Sequence, residues 1–231
     1  MKLYQSTTIL LFSWFLFFSG TIPNNATYKW EFWKEKEGVR VYTRMPTDSK
    51  IKELKMETIF TGSLASFVAV TQDMDSYERW VYSSRNARTV KIISEVEQIY
   101  YVESDFPWPM SDRDLLTHNK IWQDSETFEF YSSSVHYVDE SVPPKKNMIR
   151  VPFLKSLWTL KPRTKGTFHL IYTLKSDPGG NIPAWAINMM LDVGPFKTLK
   201  NLQKEVEKSK YKNAQYDYIV EPFYGWKPRF D

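Results

Sequence analysis

An acidic and a basic side chain lie on the two predicted strands that flank a proline-rich turn near the middle of the chain. Glu103 shares a strand face with Tyr101, and Arg113 shares a strand face with Leu115, because side chains alternate along a strand. If these faces line a cavity, an acid and a base are buried inside the protein. Such charges could bind the polar end of a small molecule, or they could serve only the fold as an ion pair.

The cost of burying a charge decides which partners these two side chains need. An unpaired charge in a protein interior is prohibitive. We therefore expect Glu103 and Arg113 to pair with each other, with Asp112 or Asp114, or with the polar group of a ligand. The roles in ligand binding and in folding both stay open at this point.

The patterns that usually carry catalysis or bind cofactors are missing from the sequence. His118, His136 and His169 do not have metal-ligand spacing, and the chain has no Cys, so we predict neither a metal site nor a thiol nucleophile. There is no Gly-x-Ser-x-Gly elbow, no phosphate-binding glycine loop and no dinucleotide fingerprint. We accordingly expect no catalytic residues and no cofactor.

The composition fits a single domain with a substantial apolar core. The 231 residues are 42% hydrophobic and 16% aromatic, and aromatic side chains suit a core, a lined cavity or a membrane contact. The formal net charge of +4 is a mild basic bias. It favours transient contact with an anionic membrane surface but is too small to predict nucleic-acid binding. We expect a monomer.

The first 26 residues have the order of a signal peptide. Lys2 precedes an apolar run at 9–18, which Ser19 and Gly20 close. The run has the length of a signal peptide's apolar region and is short for a bilayer span, which needs about 20 residues. The flanking residues make a poor cleavage site. Residues 1–26 are therefore predicted to be a signal peptide or a retained anchor of an exported protein, periplasmic or secreted, with a buried helix as the remaining alternative.

Alternating apolar residues predict strands through most of the chain from residue 28. Strands are predicted at 39–44, 51–60, 89–96, 98–106, 113–122, 127–137, 148–160 and 167–175, and a short helix at 30–35. Between the second and third of these strands, apolar residues at helical spacing predict a helix over 63–82, capped by Ser63. The short breaks between consecutive strands favour an antiparallel sheet.

A long helix is predicted near the C-terminus, over 182–208. Its apolar stripe includes Trp185, Met189, Val193 and Phe196, and a Gly-Pro pair within it is expected to kink or break it. Strands, a helix, many antiparallel strands and a last helix are typical of an α+β protein, with helices packed on one face of the sheet. A curved sheet around the last helix would leave an apolar cleft, the usual form of a small-molecule site.

Two segments resemble the START family of lipid-transfer domains. The stretch 100–116, YYVESDFPWPMSDRDLL, is similar to the family's strand, aromatic-proline turn and following Arg-Asp pair. The stretch 180–188, GNIPAWAIN, resembles the start of the family's C-terminal lid helix. The resemblance covers residues 28–210, which we take as a START-like lipid-binding domain, and leaves 211–231 as a C-terminal tail.

The resemblance implies a helix-grip fold, in which a curved antiparallel sheet surrounds a long C-terminal helix and encloses an apolar cavity. It also implies binding, and transfer, of a single lipid such as a phospholipid, a sterol or a sphingolipid. The residues that we expect to contact the ligand are Glu103, Arg113, Tyr101, Leu115, Trp185, Met189, Val193 and Phe196.

Two other functions stay open beside lipid carriage. The wider helix-grip superfamily, which resembles START domains in shape, contains cyclases and hydrolases that act on apolar substrates in the same cavity. Glu103, Asp105 and Arg113 would be the acid and base candidates of such an enzyme. Exposed Trp and Tyr side chains would instead suit a protein-interaction module.

Overall fold

One large sheet dominates residues 28–222, the part of the chain that the computed structural model describes. Its strands are β1 Glu31–Lys36, β2 Val39–Arg44, β3 Glu53–Thr61, β4 Ser84–Ser94, β5 Glu97–Ser104, β6 Arg113–Gln123, β7 Phe130–His136, β8 Ile149–Arg150, β9 Phe153–Thr164 and β10 Thr167–Asp177. They lie in the order β1-β2-β3-β10-β9-β7-β6-β5-β4, with β8 beside β6. The β6–β8 pair is parallel, and the other pairs are antiparallel as predicted.

Helices follow the third strand and the last strand. They are α1 Leu64–Gln72, a 3-10 helix Met74–Arg79, α2 Ala184–Met190, α3 Val193–Glu205 and α4 Ser209–Lys212. Ser63 caps α1 as predicted, because its hydroxyl accepts a hydrogen bond of 2.9 Å from the backbone N–H of Ser66. The predicted α+β class, with an antiparallel sheet and a C-terminal helix, is confirmed.

The core forms where α1 and α3 pack against one face of the sheet. The ring of Phe67 in α1 lies 5.8 Å from the rings of Phe60 and Phe130 and 5.9 Å from that of Trp158, between centroids. Leu199 of α3 is fully buried in the same cluster. Burying an apolar side chain of this size contributes roughly 1.5–3 kcal/mol, so the helices hold the inner face of the sheet firmly where these rings meet.

The short helix predicted at 30–35 is wrong, because this segment is strand β1, paired with β2. Glu37 and Gly38 connect the two strands with φ of 48° and 74°, the backbone of a type I′ hairpin turn. A helix this short is marginal on its own, whereas hairpin pairing satisfies the backbone of both strands. A register shift between Phe32 and Lys34 disturbs the alternation that would have revealed the strand in the sequence.

The predicted C-terminal helix is broken as expected, but the break lies before the Gly-Pro pair. α2 ends at Met190 and α3 begins at Val193. Pro195 therefore lies in the first turn of α3, where its missing N–H costs no hydrogen bond within the helix. Pro152 similarly divides the strand predicted at 148–160 into β8 and β9.

The residues after α3 pack back onto the domain up to residue 222. Gln123 of β6 exchanges two hydrogen bonds of 2.9 Å with the backbone of Val220. Glu221 accepts a hydrogen bond of 2.8 Å from the backbone N–H of Ala65 at the start of α1, and burial raises the pKa of its carboxyl. The first half of the predicted tail is thus attached to α1 and to the sheet.

The predicted signal peptide or anchor, 1–26, lies outside the described residues. Within 28–222, no helix is long and apolar enough to cross a membrane. The same part of the chain contains no group of three or more His, Asp or Glu side chains that could hold a metal ion.

Candidate ligand-binding cavity

A cavity of about 260 Å³ lies between the sheet and the segments that cover its inner face. Strands β5, β6, β7, β9 and β10 supply alternate residues to its wall, as the pleat of a strand requires. One part of the cover is the 3-10 helix with the turn after it, including Tyr77 and Trp80. The other part is the start of α3, where Gly194, Pro195 and Thr198 face the cavity.

A second concavity, of about 350 Å³, lies outside this space. Its wall comes from residues within 136–144 and 150–152, so one loop and the strand ends beside it form most of the surface. Ligand sites in proteins are usually enclosed and mostly apolar, with a few polar groups. The smaller cavity lies between the sheet and the helical segments that cover it, and its wall combines apolar side chains with several polar groups, so it is the candidate site.

Uncharged polar groups form a belt across the wall of the candidate cavity. Asn119 Nδ2 donates to the hydroxyl oxygens of Ser132 and Ser134, at 3.1 and 3.0 Å. Ser134 pairs with Ser156 across the β7–β9 ladder, so polar groups of three neighbouring strands lie together. All four residues are buried. We call Asn119, Ser132, Ser134 and Ser156 the polar belt.

Tyrosines add neutral hydroxyl groups to the same wall. Tyr77 of the cover and Tyr172 of β10 both line the cavity. Removal from water raises the pKa of each phenol above its ordinary value of 10.0. Both side chains are therefore uncharged at neutral pH, and they extend the neutral character of the wall.

Among the predicted ligand contacts on strands, Leu115 lies in the cavity wall but Glu103 does not. The register gives the reason, because Ser104 pairs with Arg113 and Glu103 pairs with Asp114. Residues paired across a ladder share a face of the sheet. Ser104 lines the cavity, so Arg113 is on the inner face and Glu103 points away from it.

On the outer face, Glu103 is part of a cluster of charged groups. Its carboxylate accepts hydrogen bonds from Lys145 Nζ at 2.7 Å, Asn86 Nδ2 at 2.9 Å and Arg85 Nε at 3.1 Å. Burial alone would raise the pKa of Glu103, but these donors hold it below the ordinary value of 4.5. Asp105, half exposed, pairs with Arg85 at the edge of the cluster.

Asp114 is the fully buried acid of this cluster. Its two carboxylate oxygens accept hydrogen bonds of 3.0 Å from the guanidinium of Arg150, and one of them also accepts from the backbone N–H of Lys145 at 3.0 Å. The hydroxyl of Tyr101 lies 3.3 Å from Asp114 and 3.4 Å from Glu103, so Tyr101 also points away from the cavity. We call Arg85, Tyr101, Glu103, Asp114, Lys145 and Arg150 the outer charge cluster.

Arg113 is buried on the inner face, with 1% of its surface exposed. Its guanidinium donates to the backbone carbonyls of Ser111, Pro178 and Gly179, the last two at 3.1 and 2.9 Å. The expected pair between Glu103 and Arg113 is not formed, because the two side chains point to opposite faces. Arg113 instead joins the turn at 177–181 to the start of β6.

The predicted contacts on the C-terminal helices also lie outside the cavity wall. Trp185 and Met189 of α2 are 69% and 64% exposed, and Val193 is exposed as well. Phe196 is buried in the core cluster rather than in the cavity wall. The helix is interrupted after Met190, earlier than predicted, so Trp185 and Met189 belong to a separate short helix, α2, which has no buried residue.

Exposed apolar side chains gather at one end of the cavity. Ser104 and Ser176 are the last cavity-lining residues of β5 and β10, and Arg113 joins the turns that follow them. Trp108, in the first of these turns, is 92% exposed. α2, with the exposed Trp185, follows the second turn. We call Trp108, Trp185, Met189 and Met190, which are all exposed, the apolar rim.

Known proteins match most of this chain. The START domain family model matches residues 24–212. An uncharacterized protein from Pseudomonas aeruginosa is 28% identical over 191 residues, which cover 82% of this chain and 92% of that protein. Phosphatidylcholine transfer protein from Bos taurus is 24% identical over 191 residues, covering 78% of this chain and 85% of the relative. The crystal structure of a STAR-related lipid transfer protein fragment from Xanthomonas axonopodis has a TM-score of 0.71 and 27% identity, and covers 78% of this chain and 99% of its own.

Proposed function

Since this chain belongs to the START domain family, we propose that it binds a single lipid in the cavity between its sheet and α3 and transfers that lipid between membranes. The observation that carries the proposal is the cavity itself, which is enclosed by a sheet on one side and by a separate helix on the other. A helix that is not part of the sheet can move away from it without breaking a strand ladder. This arrangement suits reversible uptake of one molecule better than permanent burial.

The relatives and the geometry both favour a carrier over an enzyme. The two relatives above whose names state an activity are transfer proteins. Among the acid and base candidates, Glu103 faces away from the cavity and Arg113 is not in the cavity wall. A ligand in the cavity would contact neither group, and proton transfer needs hydrogen-bond reach.

Native mass spectrometry of the gently purified protein tests this proposal. We expect a complex with one lipid per chain, and organic extraction of the same sample identifies that lipid. The protein should also accelerate the movement of a labelled lipid from donor vesicles to acceptor vesicles. A protein that carries no lipid and leaves the rate of exchange unchanged would contradict the proposal.

We also propose that the protein is exported, because Lys2 and the apolar run at 9–18 have the order of a signal peptide. The intact mass from the same experiment reports whether the segment at 1–26 has been removed. Recovery of the protein from the cytosolic fraction at its full mass would argue against export.

The apolar rim supports a further part of the proposal, which is that the protein contacts the membrane with this end while lipid is exchanged. Trp side chains suit the boundary between water and lipid because they combine a large apolar surface with a polar N–H. The turn that carries Trp108 follows Ser104 of the cavity wall, and α2, which carries the rest of the rim, comes after the turn that follows Ser176. A membrane bound at the rim would therefore lie next to the cavity.

Substitution of the rim should weaken membrane binding without unfolding the protein. Trp108→Ala combined with Trp185→Ala removes two side chains that are 92% and 69% exposed. We expect binding to anionic vesicles to fall about tenfold, the equivalent of about 1.4 kcal/mol, because binding scales with buried apolar area. Vesicle co-sedimentation measures this.

A matched control is Ile92→Ala, which removes a side chain that is 73% exposed. Ile92 pairs with Gln98, at the end of β4 remote from the Ser84–Ser104 pair. This variant should bind vesicles like the unaltered protein. Equal losses in both variants would show that general surface hydrophobicity, and not the rim, determines membrane binding.

A further inference from the structure

Within the described part of the chain, every polar side chain that lines the cavity is uncharged. From this we propose that the polar end of the ligand is itself uncharged and presents a hydroxyl or carbonyl oxygen, which the polar belt binds. A monoacylglycerol and a sterol are lipids of this class, whereas a phosphocholine lipid is not. The inference rests on the proposed lipid-binding function and specifies the chemistry of its ligand.

A charged headgroup would find no countercharge in this wall. Transfer of an ion out of water costs several kcal/mol even after the protein relaxes, unless it is paired or fully hydrogen-bonded. Arg113 is a cation on the inner face, but it is not among the lining residues. Three of its five N–H groups donate to backbone carbonyls, and its guanidinium lies 4.2 Å from the ring of Phe106. Because Arg113 is not in the wall, a phosphate in the cavity would have to open the turn at 177–181 to reach it.

The polar belt contains hydroxyl donors that could bind a neutral oxygen of the ligand. Ser132 and Ser134 each accept a hydrogen bond from Asn119, and a serine that accepts still has its own O–H to donate. Leaving a buried hydroxyl without a partner costs about 1–3 kcal/mol. The belt therefore favours a lipid oxygen over a pure hydrocarbon as well as over a charged group.

The size of the cavity limits the apolar part of the ligand. Its volume of about 260 Å³ is just below the range of about 300–1,000 Å³ that is usual for small-molecule pockets. A ligand with a single acyl chain or one ring system suits such a space better than a phospholipid with two long chains.

A competition between two lipids that differ only in the headgroup tests the inference. The full chain, stripped of lipid, is mixed with equal amounts of monooleoylglycerol and oleoyl-lysophosphatidylcholine, and the bound lipids are extracted and quantified. We expect monooleoylglycerol to be retained at least about tenfold more. Equal retention, or a preference for the phosphocholine lipid, would overturn the inference.

Exchange of dioleoylphosphatidylcholine between vesicles, measured in parallel, separates this inference from the proposed function. A protein that exchanges this phospholipid but does not retain monooleoylglycerol is a lipid carrier of another specificity, so only the headgroup inference fails. A protein that does neither overturns both.

Variants of the polar belt test whether its hydroxyl groups cause the preference for an uncharged headgroup. Ser132→Ala combined with Ser134→Ala should lower the retention of monooleoylglycerol about fivefold or more, because each lost hydrogen bond is worth about 0.5–1.5 kcal/mol, while retention of the phosphocholine lipid should not change. Ser133→Ala is the matched control, since Ser133 lies on the same strand and does not line the cavity. If the double variant does not fold, Ser134→Ala alone is compared with the same control. Unchanged retention in the belt variant, or an equal loss in the control, would overturn the assignment.

Discussion

Oxidation of a variant with Tyr82→Cys and Thr198→Cys is expected to stop lipid exchange, and a reductant is expected to restore it. Tyr82 donates a backbone hydrogen bond of 3.0 Å to the hydroxyl of Thr198, which makes these positions neighbours across the seam between the two cover segments. A disulfide needs Cα atoms about 4.4–6.8 Å apart, and neighbours joined by such a hydrogen bond are candidates for it. The natural chain has no Cys, so no other disulfide can form within one chain, and a monomeric product is isolated before the measurement.

The contacts at this seam are those that must break if α3 moves away from the sheet. Asn201 Nδ2 donates to the backbone carbonyl of Trp80 at 3.3 Å, close to the Tyr82 contact. The break between α2 and α3 lies at the near end of α3 and is a suitable hinge. Lys34 of β1 forms an ion pair of 2.8 Å with Asp192 at that break. This ion pair would keep the hinge attached to the sheet while the rest of α3 moves.

The rate of lipid exchange between vesicles is measured before and after reduction. This compares the cross-linked and the free form of the same variant. Both single-cysteine variants should exchange lipid at the rate of the reduced double variant, which excludes a local effect of either substitution. If mass spectrometry shows the disulfide to be complete and the oxidised protein still exchanges lipid normally, the seam is not the entrance. The ligand would then enter at the end of the cavity that carries the apolar rim.

The alternation of side chains was enough to predict nearly all the strands, but it did not show which face of each strand meets the cavity. That choice depends on register, and register depends on how the chain turns between strands. The turn at 105–112 sets Glu103 opposite Asp114 and Ser104 opposite Arg113. The sequence places the acid and the base on either side of this turn without showing that they point to opposite faces.

Other features of the site depend on contacts between distant parts of the chain. Lys145, in the loop before β8, and Arg150, in β8, belong to a segment that the sequence does not place against β5 and β6. The polar belt had a local signal, since Ser132 and Ser134 alternate along one predicted strand. Small hydroxyl residues at alternate positions of a buried strand leave space and unsatisfied donors beside them, which is a pattern of a lined cavity rather than of a packed core.

Asp114→Ala is expected to lower the free energy of unfolding by about 3–5 kcal/mol, the usual cost of breaking a buried ion pair by removing one partner. Asp114 is fully buried, and its loss leaves the Arg150 guanidinium without its carboxylate partner and the Lys145 N–H without its acceptor. Arg150 retains 18% side-chain exposure and can turn partly towards water, which favours the lower end of this range. Unfolding in urea at neutral pH measures the change.

The pH dependence of stability should reflect the outer charge cluster and Asp112, which pairs with Arg85 of that cluster. The pKa of Glu103 is lowered in the folded protein, and that of Asp112 is lowered by a hydrogen bond from Arg85. A carboxyl whose pKa is lowered by folding contributes stability above its ordinary pKa, and this contribution is lost as the pH falls through the lowered value. The difference in the free energy of unfolding between Asp114→Ala and the unaltered protein should therefore be measured at a pH well above the ordinary pKa values of these two groups, 4.5 and 3.8.

Asp48→Ala is the control that separates the loss of a buried ion pair from the loss of an exposed one. Asp48 also forms an ion pair of 2.8 Å, with Lys175, but its side chain is 67% exposed. The free energy of unfolding of the variant should therefore stay within about 1 kcal/mol of that of the unaltered protein.

Because the outer charge cluster is on the face away from the cavity, the folded fraction of Asp114→Ala should still carry lipid at the normal ratio. An Asp114→Ala protein of normal stability that has lost its lipid would mean that this acid acts on the ligand and that the two faces of the sheet have been assigned wrongly.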